Sequence, residues 1–113
     1  MVRVTERDFH IGESVQRIRT GMVDVSLRNQ GPDDHELIIA KEPPGTPLPM
    51  RADGVTVNEE ALNKVTVKPT LEPGRPGLVR NLRVHLAPGR YVLFCNMAGH
   101  YLGGMHSVLW VGR

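Results

Sequence analysis

Apolar and polar residues alternate with a period of two along much of this chain, the spacing at which strand side chains fall on opposite faces. Val2 and Val4 open such a run, and Phe9 and Ile11 are expected to continue it. Val23, Val25 and Leu27 alternate with Asp24, Ser26 and Arg28, which predicts a half-buried strand closed by a turn at Asn29-Gln30-Gly31-Pro32. In the next strand His35, Leu37 and Ile39 share one face and Glu36 and Ile38 the other. Residues 41–54 and 69–77 are rich in proline and glycine and read as irregular connections. Between them, Asn58 with Glu59 and Glu60 predicts the start of a short helix with Ala61, Leu62 and Val65 on its apolar side. The competing reading has Val65-Thr66-Val67 begin a strand. Leu82, Val84 and Leu86 alternate again, Pro88-Gly89 turns the chain into Arg90 to Cys95, and Ser107 to Val111 forms the last strand-like run. Seven to eight short strands separated by turns predict an all-β, antiparallel sandwich or barrel.

Length and composition narrow this picture. A chain of 113 residues makes one domain, 1–113, and 40% apolar residues suffice for a packed core. The net charge is only +2 and its basic residues are dispersed, unlike the basic stripe of a nucleic-acid-binding protein. A single cysteine excludes an intrachain disulfide. No apolar run is long enough for a transmembrane helix. No export signal is visible, since Met1 leads straight into the strand-like Val2-Arg3-Val4-Thr5.

The candidate chemistry is concentrated in Cys95-Asn-Met-Ala-Gly-His100-Tyr-Leu-Gly-Gly-Met105. Three soft or borderline metal donors stand at C-x4-H-x4-M spacing between two predicted strands, so the loop lies at an end of the sandwich. Gly99, Gly103 and Gly104 permit tight bends between the donors. Thiolate and thioether suit Cu(I), and imidazole suits both copper oxidation states. Two histidines and a cysteine in a plane, with a weak axial methionine, make an electron-transfer copper centre. The second histidine is best supplied by His35, which opens a strand just after the Gly31-Pro32 turn.

These residues together resemble the cupredoxins. The resemblance covers most of the chain: the Asn29-Gln30-Gly31 turn ahead of His35, then Pro88-Gly89, Tyr91, Phe94, Cys95, His100 and Met105. The loop spacing is similar to that of rusticyanins, sulfocyanins and auracyanins, and longer between cysteine and histidine than in plastocyanins. The resemblance implies a Greek-key sandwich and one copper ion held by His35, Cys95, His100 and Met105. It implies transport of single electrons with no catalysis, and an extracytoplasmic location. A monomer is expected, with redox partners docking on an apolar patch at His100, Tyr101 and Leu102, where an edge of His100 is exposed. Phe94 and Tyr91 are expected to help keep water from the metal. One departure stands beside the first ligand. Several cupredoxins carry asparagine after that histidine, tying the two ligand loops together, and this chain carries Glu36.

Each of these residues also has a simpler reading. Alone, Cys95 is most simply a core cysteine and Met105 a core methionine; their spacing from His100 argues otherwise. His10, His85 and His106 read as ordinary surface histidines, and strand alternation turns His106 away from Met105. Met97 is too near Cys95 to compete as a sulfur donor. Glu59-Glu60 is the acidic preference of a helix start. A nucleophilic cysteine needs a base and a means of lowering its pKa, and no helix begins at Cys95. Zinc would not select a methionine. Copper delivery or storage, or a module of a larger copper oxidase, remain alternatives, although the chain has no His-x-His pair for a multinuclear centre.

Overall fold

A computed structural model of the chain describes residues 1–41 and 48–113. Among these residues nine strands and one helical turn follow one another: β1 (Val2–Arg7), β2 (His10–Glu13), β3 (Arg17–Arg19), β4 (Gly21–Asn29), β5 (His35–Lys41), α1 (Glu59–Leu62), β6 (Leu71–Gly74), β7 (Val79–Leu86), β8 (Gly89–Phe94) and β9 (His106–Gly112). They form two sheets, in the orders β2-β1-β4-β7 and β3-β9-β8-β5-β6. The all-β sandwich is as the alternation predicts. The sheets are mixed rather than wholly antiparallel, because β1 runs parallel to β4 and β3 parallel to β9. Periodicity reports which face a residue takes and says nothing of a partner strand's direction.

The core follows directly from the alternation. In β4, Val23, Val25 and Leu27 are buried and pair in register with Val84, Leu82 and Arg80 of β7. Val84, Leu82 and Leu86 are buried from the other strand. Opposite them, Leu37 and Ile39 of β5, Tyr91 and Leu93 of β8, and Leu109 and Val111 of β9 complete one apolar cluster. Full burial of such side chains contributes about 1.5–3 kcal/mol each. β5 is buried on both faces. Ile38 and Ala40 look outward into a second cluster with Leu48, Val57, Leu62, Val92 and Phe94, roofed by the 48–62 segment.

Three local expectations change. The first run breaks at Asp8-Phe9, which form the turn between β1 and β2; Phe9 has φ +64° and is exposed. The helix is a single turn, capped by Asn58 Oδ1 accepting the Ala61 N–H (3.1 Å). Val65 is exposed beyond it, and residues 65–67 instead exchange backbone hydrogen bonds with the edge of β5, Lys41 N–H to Val65 C=O and Val67 N–H to Ile39 C=O. Within 69–77, Leu71–Gly74 forms a strand on β5. The irregular reading of 41–54 falls partly on 42–47, outside the described residues.

One core position breaks the apolar rule. Val2, Val4 and Glu6 are the inward residues of β1, so Glu6 is carried into the interior by the same period that buries the valines. It is fully buried and neither carboxylate oxygen has a hydrogen-bond partner. Burial pushes its pKa up to about 8; the charge of Arg80 lowers it and that of Glu36 raises it. A carboxyl with its folded-state pKa raised from 4.5 stabilises the fold fully below about pH 4.5, and this contribution is lost as pH rises toward 8. Glu6→Gln is therefore expected to match the parent near pH 4 and to exceed its stability by about 2–5 kcal/mol near pH 9. Urea unfolding of the metal-free proteins across this range measures it; a difference independent of pH would contradict the assignment.

Candidate metal centre

The ends of β4 and β8 and the starts of β5 and β9 lie at one end of the sandwich, and the connections there carry the chemistry. Asn29, buried at the end of β4, organises the first connection. Its Oδ1 accepts the Gly31 N–H (2.8 Å), an Asx turn, and its Nδ2 donates to the carbonyls of Asp33 (3.0 Å) and Gly74 (2.8 Å). His35, the first residue of β5, is thereby held pointing inward and is fully buried. The second connection closes on itself. Cys95 N–H donates to Met105 C=O (3.2 Å), Met105 N–H to His100 C=O (3.0 Å), and His100 N–H to Met97 C=O (2.9 Å).

All four predicted residues meet here. Cys95 Sγ lies 3.8 Å from His35 Nδ1 and 3.6 Å from His100 Nδ1. Donor bonds of about 2.0–2.3 Å, meeting at angles between tetrahedral and trigonal, separate sulfur from nitrogen by about 3.6–3.8 Å. The three side chains thus surround a point where one ion fits. Met105 is fully buried in the same apolar cluster as Cys95. Its neighbour His106 is exposed against the Tyr101 ring, as alternation requires. Met97 is half-buried, and His10 and His85 are exposed.

Burial disfavours charge on both Cys95 and His35 in the metal-free chain. Burial pushes the Cys95 thiol up to about 11, against the lowering effect of the Glu36 and Met97 backbone groups; nearby Glu6 and Glu36 push it further up. Burial also lowers the pKa of His35, helped by the charge of His100 and opposed by the Gly31 backbone, Asp8 and Asp33. A neutral imidazole and a thiol that sheds its proton only to a cation are what a buried metal site needs.

Glu36 provides the tie between the two connections in place of asparagine. Its Oε1 accepts the backbone N–H of Asn96, next to Cys95, at 3.0 Å. Asn96 extends the tie outward. Its side chain accepts the Val57 N–H (2.6 Å) and donates to Val57 C=O (3.0 Å) and Glu59 Oε2 (2.6 Å). Glu59 is thus more than a helix-start charge.

The surroundings differ from expectation in three ways. His100 is only 7% exposed, so its edge is largely covered. Phe9 meets the His100 ring edge-on at 5.8 Å, and Asp33 Oδ2 stands 3.4 Å from Nε2. The open apolar surface is instead Phe9 (54%) and Leu102 (59%), with Tyr101 half-buried. Finally, Phe94 packs in the outer cluster and meets Tyr101, while the Tyr91 hydroxyl donates to Ala87 at the other end of β8. The sequence gives no direct sign of Phe9, Asp8 or Asp33. Its one trace is Gly103-Gly104, a pair that marks a close backbone approach without saying whose. A Cβ on Gly103 would run into the Phe9 ring, and one on Gly104, at φ +117°, would lie 2.9 Å from the Phe9 carbonyl.

Among known proteins, no family model matches this chain, and no curated protein does. Solved structures do. A dithionite-reduced auracyanin from Roseiflexus castenholzii superposes with TM-score 0.65 at 19% identity, over 98% of this chain and 95% of that one. Auracyanin B gives 0.68 at 19% identity over 99% and 88%, and rusticyanin from Thiobacillus ferrooxidans 0.63 at 17% over 96% and 75%. This is the cupredoxin fold. The His35, Cys95, His100 and Met105 arrangement is type 1 copper-like. On this cupredoxin scaffold the Gly103-Gly104 bend separates two kinds of strain. Gly103→Ala is expected to cost about 1–3 kcal/mol, restored in part by Phe9→Ala, which removes the ring it meets and leaves only the Gly99 carbonyl at 3.1 Å. Gly104→Ala should cost a similar amount and not be restored, since its conflict is with a carbonyl and with φ. Denaturant unfolding of the four variants checks both; equal rescue at the two positions would disprove the distinction.

Proposed function

We propose that this protein is a mononuclear type 1 copper protein that carries single electrons between redox partners, with His35, Cys95, His100 and Met105 as ligands. The observation that carries the reading is the convergence of the Cys95 thiol on two imidazole Nδ1 atoms, at 3.6 and 3.8 Å, in a buried site beside Met105. The donor set has the softness of the Cys-His-His-Met group that suits copper in both oxidation states. Copper bound there would supply one-electron exchange between Cu(II) and Cu(I).

The chain's own contribution is to hold the donors still. Cys95 would give up its thiol proton on binding, and the Glu36 and Met97 backbone groups favour the thiolate. The ring of hydrogen bonds from Cys95 through Met105 and His100 limits movement of three donors at once. Burial excludes water, which would otherwise reorganise at each transfer. The same features weigh against the alternatives. A delivery protein needs donors that a recipient can reach, and these four are at most 7% exposed. A nucleophilic enzyme needs a lowered cysteine pKa, and that of Cys95 is raised.

Transfer to partners is assigned to the apolar surface over His100, formed by Phe9 and Leu102. Small transient interfaces suit such encounters. No helix among the described residues is long and apolar enough to cross a membrane; an extracytoplasmic location follows the resemblance to cupredoxins.

Addition of one equivalent of Cu(II) is expected to produce an intense visible thiolate-to-copper band, absent in Cys95→Ser. A colourless Cu(II) protein would end the proposal. Leu102→Lys should leave that band in place and slow electron self-exchange by roughly tenfold, because two like charges then meet at the contact. Nuclear magnetic relaxation in mixtures of the two redox states gives the rate, and an unchanged rate would remove Leu102 from the transfer surface.

A further inference from the structure

Both histidines have a second face. The Nδ1 atoms look inward to Cys95, and each Nε2 meets a carboxylate. Asp8 Oδ1 stands 3.0 Å from His35 Nε2, and Asp33 Oδ2 stands 3.4 Å from His100 Nε2. Neither contact is a hydrogen bond: the first is close but out of line, and His35 Nε2, fully buried, has no hydrogen-bond partner. The carboxylates are not loosely placed. The Asp8 N–H donates to Gly31 C=O (3.0 Å), and the Asp33 N–H donates to Asp8 Oδ1 (3.2 Å). The Asp33 carbonyl is held in turn by Asn29 Nδ2. Asp34, the exposed next residue, contacts neither histidine.

We propose that Asp8 and Asp33 are positioning residues for the two histidines, Asp8 for His35 and Asp33 for His100, and that they favour the oxidised ion. The inference rests on the copper reading above. A histidine bound to a metal through one nitrogen commonly donates the other N–H to a carboxylate, which orients the ring and raises its donor strength. A negative charge held against the outer nitrogen stabilises the more highly charged ion more. Both carboxylates therefore oppose reduction, and they oppose it through contact rather than through their general contribution to surface charge.

The test compares Asp8→Asn, Asp33→Asn and the charge-matched control Asp34→Asn in the copper-loaded protein. Chelator competition gives the Cu(II) and Cu(I) affinities, and voltammetry the midpoint potential. Asp33→Asn is expected to weaken Cu(II) binding about tenfold, within the usual range for such partners, with Cu(I) binding unchanged. The potential then rises by about 59 mV. Asp8→Asn should move the same way, Asp34→Asn should move far less, and Asp33→Glu should restore much of the parent value. Equal shifts in all three asparagine variants would reduce the effect to surface charge and overturn the proposal. Equal loss of Cu(II) and Cu(I) affinity would reduce it to packing, with the same result. Should Asp8→Asn fail to fold, the exposed Asp33 decides alone. A parent protein without the visible copper band would instead defeat the underlying copper reading, before any variant is compared.

Discussion

The structure depends most on burying one thiol at the point where β8 leaves its sheet. Cys95 is fully buried, and its backbone N–H is bonded to the carbonyl of Met105 ten residues later. That single closure sets the size of the loop between β8 and β9. Within it, His100 turns inward, its Nδ1 3.6 Å from the Cys95 sulfur. The facing connection is built to the same point from the other side, with Asn29 winding the turn that delivers His35. Glu36 then locks the two connections together at the residue after the cysteine. The glutamate side chain has the reach to accept the Asn96 N–H from its place in β5.

The carboxylates show what this arrangement costs. Glu6 and Glu36 both lie close enough to Cys95 to push its thiol pKa up, and burial raises their own to about 8 and about 7. Glu13 is raised by burial too, and is held by the Ser107 hydroxyl. These acids prefer their neutral forms in the folded state. The interior can hold Glu6 and Glu36 near a thiol because burial leaves both largely neutral at mildly acidic pH. The ordinary pattern, in which folded carboxylates are held below their usual range, is seen at Asp53 on the surface.

Much of this was legible in the sequence, for a physical reason. Strand alternation is local, so Val23 to Leu27 and Leu82 to Leu86 declare their faces without reference to anything else. The candidate ligand set was legible because three of its members share one short loop and the fourth begins a strand after a recognisable turn. What alternation could not report was pairing direction, which is why β1 beside β4 was unforeseen. Leu71–Gly74 was hidden by its Pro73, tolerable only because β6 is an edge strand. Phe9 and Asp8 were hidden for a different reason. Their role comes from a turn that approaches Gly103 and Gly104 across the sandwich end, a contact between residues more than ninety positions apart. Glycines show that something comes near, and the identity of the visitor belongs to the tertiary fold.

The two imidazoles divide the site into chemically different halves. On their inner side are a thiol and a thioether-bearing residue in an apolar core, with no carboxylate oxygen grouped with Cys95 and both histidines among the described residues. On their outer side are Asp8 and Asp33, partly or largely open to water. Hard cations prefer the outer kind of donor and soft ones the inner. Placing Asp8 and Asp33 behind the rings would let their charge act on a bound ion through the imidazoles, from the side opposite the sulfur. The fold achieves this separation with one device: β1 and β4 run parallel, so the turn after β1 and the turn after β4 emerge at the same end and carry Asp8 and Asp33 to the same side of the histidines.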